Sequence, residues 1–166
     1  DPTPASRTWA VDTSGANVTL EVPADDALTG DSTPIFSGHA STAAGDSATV
    51  NVEVYRPVAG AADELVQTRS ATRSAADGSW SVSASPALAD GDYVAYATQD
   101  DSNSETAYSA PRRFTVDTTE PGVTLTSPPV GHLTNDTTPT LSGGAGTAAG
   151  DSATVTVELY AGSGVS

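Results

Sequence analysis

Thr42-Ala-Ala-Gly-Asp-Ser-Ala-Thr-Val-Asn-Val-Glu-Val-Tyr55 is a small, turn-forming run that passes into strict alternation. Val50, Val52 and Val54 face one way, while Thr49, Asn51, Glu53 and Tyr55 face the other. That is the period of a β-strand with one buried side. The stretch returns as Thr147 to Tyr160, and its first nine residues, Thr42 to Val50, return unchanged as Thr147 to Val155. Working outward, Trp9 aligns with Phe114 at an offset of 114 − 9 = 105, and no gap is needed up to Tyr55 and Tyr160. Of the 47 aligned positions 27 are identical, far more than chance supplies, so the chain reads as a repeat.

The phase of the repeat sets the expected domain organisation. Residues 1–10 align with 106–115 and read as the last strand of a preceding repeat. Residues 11–116 make one complete unit, and 117–166 make the first half of the next. Half a sandwich exposes a sheet face and strand edges, which water disfavours. The expectation is therefore a piece of a longer array. The alternative is that another copy of the chain supplies the missing strands.

Within the complete unit the strand signals follow one another at intervals of about 10–15 residues. They fall at Val18 to Val22, Ile35 to Gly38, Thr49 to Tyr55, Leu65 to Ser70, Trp80 to Ala84, Tyr93 to Thr98 and Arg112 to Val116. Pro23, Pro34 and Asp77-Gly78 punctuate them, and no segment longer than a turn or two has helical spacing. Seven such strands predict an all-β fold: tandem immunoglobulin-like β-sandwich repeats of the antiparallel, Greek-key type. Trp80 is expected in the core. Tyr93, two residues after a Gly at a strand start, is expected to bond its hydroxyl to backbone.

Four motifs in order make a further point: Asp77-Gly-Ser-Trp80, Leu88-Ala-Asp-Gly-Asp-Tyr93, Asp100-Asp-Ser-Asn103, and Phe114-Thr-Val-Asp-Thr-Thr-Glu-Pro121. This set resembles the bacterial Ig-like domains of large repetitive surface adhesins. The resemblance implies a rigid spacer or stalk in an extracellular protein, and it implies calcium at the junctions between repeats.

Composition narrows the function classes. Asp and Glu total 21 against 6 bases, all Arg, for a net charge of −15. Such a surface lacks the basic footprint that nucleic acid and anionic lipid require. No apolar run reaches the roughly 20 residues of a membrane span, so direct insertion is not expected. With no Cys, neither disulfides nor a thioester can form, and with no Lys a Lys–Asn crosslink is excluded. The absence of Met fits an internal piece of a longer precursor.

Catalysis is not expected. His39 and His132 do not correspond in the two copies, and no nucleophile elbow, zinc-helix motif or phosphate loop occurs. Calcium fits better, because it takes six to eight oxygens from acidic, loop-rich surface. The sandwich connectivity brings Asp12, Asp46, Asp77, Asp100, Asp101 and Asn103 toward one end. Asp25, Asp26, Asp31, Asp90 and Asp92 go to the other, beside Asp117 and Glu120. The candidate ligands are Asp12, Asp100, Asp101, Asp117 and Glu120. Asp31, Asp46, Asp136 and Asp151 also suit plain turn roles. The loop tips carry no aromatic platform, so sugar binding is not expected. The leading function is a structural spacer of an extracellular adhesin-like protein, with neighbouring repeats of the same chain as partners. The alternatives are an accessory module of a secreted polysaccharide-degrading enzyme and a subunit of a strand-complemented filament.

Overall fold

A computed structural model describes residues 15–148 and 150–160. The expected last strand of a preceding repeat, at residues 1–10, lies outside them. The described residues contain ten strands and no helix. They are β1 (Ala27–Thr29), β2 (Ile35–His39), β3 (Thr49–Arg56), β4 (Glu64–Thr72), β5 (Ser79–Ser83), β6 (Gly91–Asp100), β7 (Thr106–Tyr108), β8 (Arg112–Val116), β9 (Val123–Ser127) and β10 (Ser142–Ala145). The chain divides into two compact units, 1–118 and 119–166.

In the first unit one sheet runs β1-β8-β6-β3-β4, with β7 alongside β6, and a second pairs β2 with β5. Period-two alternation explains why they face each other. On β3, Val50, Val52 and Val54 are fully buried, and the residues between them are not. Phe36 and Trp80 come from the small sheet; Tyr93, Ala95, Ala97, Phe114 and Val116 come from the large one. Phe114 lies at the centre of this core. Its ring stacks on Tyr93 at 5.5 Å and meets Phe36 edge-on at 5.8 Å. The Tyr93 hydroxyl donates to the Ala89 carbonyl at 2.8 Å and accepts from Arg56 at 2.8 Å, so the expected backbone tether forms.

Three features differ from the expected strands. The segment 18–22 runs along β2 through two bridges, Val18↔Ala40 and Val22↔Ser37, rather than a continuous ladder. The His39 amide is taken by the Thr19 hydroxyl at 2.9 Å, and a side chain thereby interrupts the backbone series. Two short strands, β1 and β7, had no clear alternation to announce them. β1 also pairs with β8 in parallel, Ala27 opposite Phe114, within an otherwise antiparallel sheet. After Val22 the chain leaves β2, turns through Ala24–Ala27 and arrives beside β8 running the same way. The Asp25 carboxylate holds the crossing by accepting the Arg113 amide at 2.9 Å.

The second unit pairs β9 with β10, and the Thr124 hydroxyl takes the Gly144 amide at 3.1 Å as Thr19 takes that of His39. Thr154 to Tyr160 repeats the β3 pattern yet forms no strand. In the first unit β3 lies between β4 and β6 and bonds to both. Among the described residues of the second unit nothing takes those two places. Val123, Leu125, Val155 and Val157 consequently stand 62%, 57%, 47% and 47% exposed around a groove of about 400 Å³. Their counterparts Val18, Leu20, Val50 and Val52 belong to the first unit's core.

Candidate functional site

The acidic residues sit where strands end, because Asp can bond the amides that a turn leaves open. Asp31 accepts from the Thr33 amide at 2.7 Å and its hydroxyl at 2.9 Å, and Asp136 does the same with Thr138. These are the turn roles expected. At the end of β6, the Asp100 carboxylate accepts from the Thr106 hydroxyl at 2.6 Å. Asp101 accepts from the amides of Asn103 and Glu105 at 2.7 and 2.9 Å, which closes the loop into β7. Asp117 lies past the far end of β8, where its amide donates to Thr29. Because β6 and β8 are antiparallel, with Gly91 opposite Val116, Asp117 is at the opposite end of the sheet from Asp100 and Asp101. Asp12 is outside the described residues, and Glu120 belongs to the second unit.

Around Asp117, the Asp90 carboxylate accepts the Thr118 amide and hydroxyl at 3.0 and 2.8 Å, and Asp92 accepts the Thr115 hydroxyl at 2.6 Å. Among the described residues no three acidic or histidine side chains converge in a way that would hold a metal ion.

One acid was undervalued by sequence. Asp46 is 8% exposed, and both its carboxylate oxygens are buried without a hydrogen-bond partner among the described residues. Its loop is clamped from two sides. Gln99, fully buried, donates to the carbonyls of Ser41 and Ser47, each at 2.8 Å. The Arg73 guanidinium donates to the carbonyls of Asp46 and Ser47 at 3.3 and 3.2 Å. In the second copy Asp151 accepts the Ala148 amide at 2.9 Å, whereas the matching Ala43 amide goes to the Ser41 hydroxyl at 3.3 Å. The signal lay in Ser41, which becomes Gly146 in the second copy and removes that competing acceptor.

Asp77 carries the clearest electrostatic signature. Its carboxyl is held down to about 2, first by the Ser74 side chain and then by the amide and hydroxyl of Ser79, at 3.1 and 2.9 Å. A folded value below the ordinary 3.8 means that Asp77 stabilises the fold at higher pH. That contribution is lost as pH falls through about 2. Melting temperature followed from pH 5 to pH 2 is expected to fall less steeply for Asp77→Asn than for the parent chain. Parallel curves would remove the role.

Fold and site together define a non-helical, two-sheet module whose polar chemistry secures turns. The match to the bacterial Ig-like domain family spans residues 10–118, and the chain belongs to that family. No curated protein sequence matches the chain. Among solved structures, a chitinase from Paenibacillus sp. strain FPU-7, described as a bacterial cell-surface-expressed multi-modular enzyme, is similar at 13% identity with a TM-score of 0.40. The similarity covers 66% of this chain and 9% of the chitinase chain.

Proposed function

We propose that the chain is a stretch of a tandem array of Ig-like modules, acting as a non-catalytic spacer in an extracellular or cell-surface protein. The observation that supports this most directly is the second unit's open face. Val123, Leu125, Val155 and Val157 repeat core positions of the first unit and are left 47–62% exposed. Strands of the β4–β8 kind, which cover those positions in the first unit, would complete it. In the same reading calcium belongs to the junctions, where the link that carries Asp117 and Glu120, or Asp12 at the equivalent place one repeat earlier, meets the module end that carries Asp100 and Asp101. Asp46, next in sequence to Ser47, whose amide donates to the Asp100 carbonyl, adds a buried carboxyl group without a hydrogen-bond partner among the described residues at that end.

The test extends the chain in register, adding a copy of residues 62–118 after Ser166 (166 − 105 = 61). A second cooperative melting transition and slow amide exchange at Val155 and Val157 are the expected result. An added segment that stays unfolded, with both amides exchanging freely, would sink the array reading. With the extended chain in hand, millimolar calcium is expected to raise the melting temperature above that in chelator. A rise matched by sodium chloride at equal ionic strength would mean screening of the negative charge alone, and no junction site.

A further inference from the structure

The outward face of β3, β6 and β7 gathers three of the chain's five tyrosines. Glu53 on β3 stands opposite Tyr96 on β6, and Thr98, two residues along β6, stands opposite Tyr108 on β7. Tyr55 follows Glu53 by two residues and so shares its face. The rings of Tyr55 and Tyr96 are 6.1 Å apart and nearly perpendicular, at 82°. Tyr108 is 69% exposed. With Glu53 and Asp63 these rings line a groove of about 320 Å³, within the range of small-molecule sites.

The lining has a definite chemistry: three phenol rings, two carboxylates and no basic side chain. Aromatic faces carry negative electrostatic potential, and carboxylates beside them add to it. The Tyr55 hydroxyl donates to Glu53 at 2.7 Å, which fixes both the ring and the charge. That bond, reinforced by burial, pushes the Tyr55 phenol above its ordinary value and keeps it a neutral donor. The second unit repeats the arrangement, with the Tyr160 hydroxyl bonded to Glu158. A bare metal ion would ask for several more oxygens than two carboxylates provide. A flat sugar ring is served best by coplanar aromatic surfaces, whereas perpendicular rings enclose a compact charge.

We propose that this face binds an organic cation of the alkylammonium class, seated among Tyr55, Tyr96 and Tyr108 with Glu53 and Asp63 as countercharges. The site belongs to one unit's sheet and does not depend on the spacer reading. It is tested on the full chain by NMR of isotope-labelled tyrosine rings during titration with tetramethylammonium chloride. Sodium chloride at equal ionic strength and a neutral glucose hexasaccharide serve as parallel titrants. Saturable shifts of the three ring signals are expected with tetramethylammonium only. Affinity is expected to fall at least about fivefold in Glu53→Gln, which keeps an acceptor for Tyr55, and in Tyr108→Ala, which removes an exposed ring. Shifts that sodium chloride reproduces, that never saturate, or that both variants retain in full would overturn the site. Stronger, saturable shifts with the hexasaccharide would overturn it equally, assigning the face to neutral sugars.

Discussion

Phe114→Ala is expected to cost the first unit about 3–5 kcal/mol, the usual penalty for deleting a large aromatic from a packed core. The site has little scope to collapse, because Phe114 is 2% exposed between a stacked Tyr93 and an edge-on Phe36. It also stands opposite Ala27 and Tyr93 in the sheet, so two strand pairings meet at one residue. A domain of this size has only about 5–15 kcal/mol in total, and the substitution removes a large share. Urea unfolding followed by tyrosine and tryptophan fluorescence gives the number. A loss below about 1 kcal/mol would mean that the two sheets do not meet at this ring.

Gly38→Ala is the second large effect. A Cβ at Gly38 would lie 2.1 Å from the Thr19 carbonyl oxygen and 2.8 Å from its carbon. Both are backbone atoms, so the segment 17–22 has to move, and Val18 and Leu20 move with it. Forced repacking typically costs about 1–3 kcal/mol, and uncovering two core side chains adds to that, so a loss of at least about 2 kcal/mol is expected. Rapid amide exchange at Thr19 and Glu21 would accompany it, since both amides donate to β2 carbonyls. Gly15→Ala is the control: among the described residues nothing lies within 4 Å of its Cβ, and stability should not change. The second unit repeats the close approach, with a Cβ at Gly143 meeting the Thr124 carbonyl oxygen at 1.8 Å. The glycine is kept in both copies for the same steric reason.

The comparison of sequence with structure turns on which residues announce themselves. Strands with a buried face and a solvated one, such as β3, are legible because alternation is the fold's own requirement. β1 and β7 are three residues each, too short for a period to show, and they exist because partners already in place offer them hydrogen bonds. Tyr93 and Trp80 were legible as core from their positions beside Gly and at strand period. The acids were legible as loop residues. Which of them finds a hydrogen-bond donor was not, since that depends on whether an amide or hydroxyl comes within reach. Asp101 meets two amides, while Asp46 meets none. The tyrosine face was half visible: Glu53 and Tyr55 shared the outward phase of β3. Their neighbours Tyr96 and Tyr108 come from strands 41 and 53 residues beyond Tyr55 (96 − 55 and 108 − 55), so only the sheet register brings them together.

The parallel contact between β1 and β8 has a kinetic consequence. Ala27 meets Phe114 across 87 residues of chain (114 − 27), so the pairing that seals the unit waits for nearly its last strand. A chain made from its N-terminus holds the first unit open until that strand emerges. Contacts so distant in sequence make closure slow. While that slow closure is under way the second unit begins to appear, and much of it is the same sequence as the first unit's opening half. The wrong half then competes for the same faces, as is characteristic of misfolding in repeat proteins. Phe36 against Leu141 and Ile35 against Thr140 are among the positions at which the two opening halves differ.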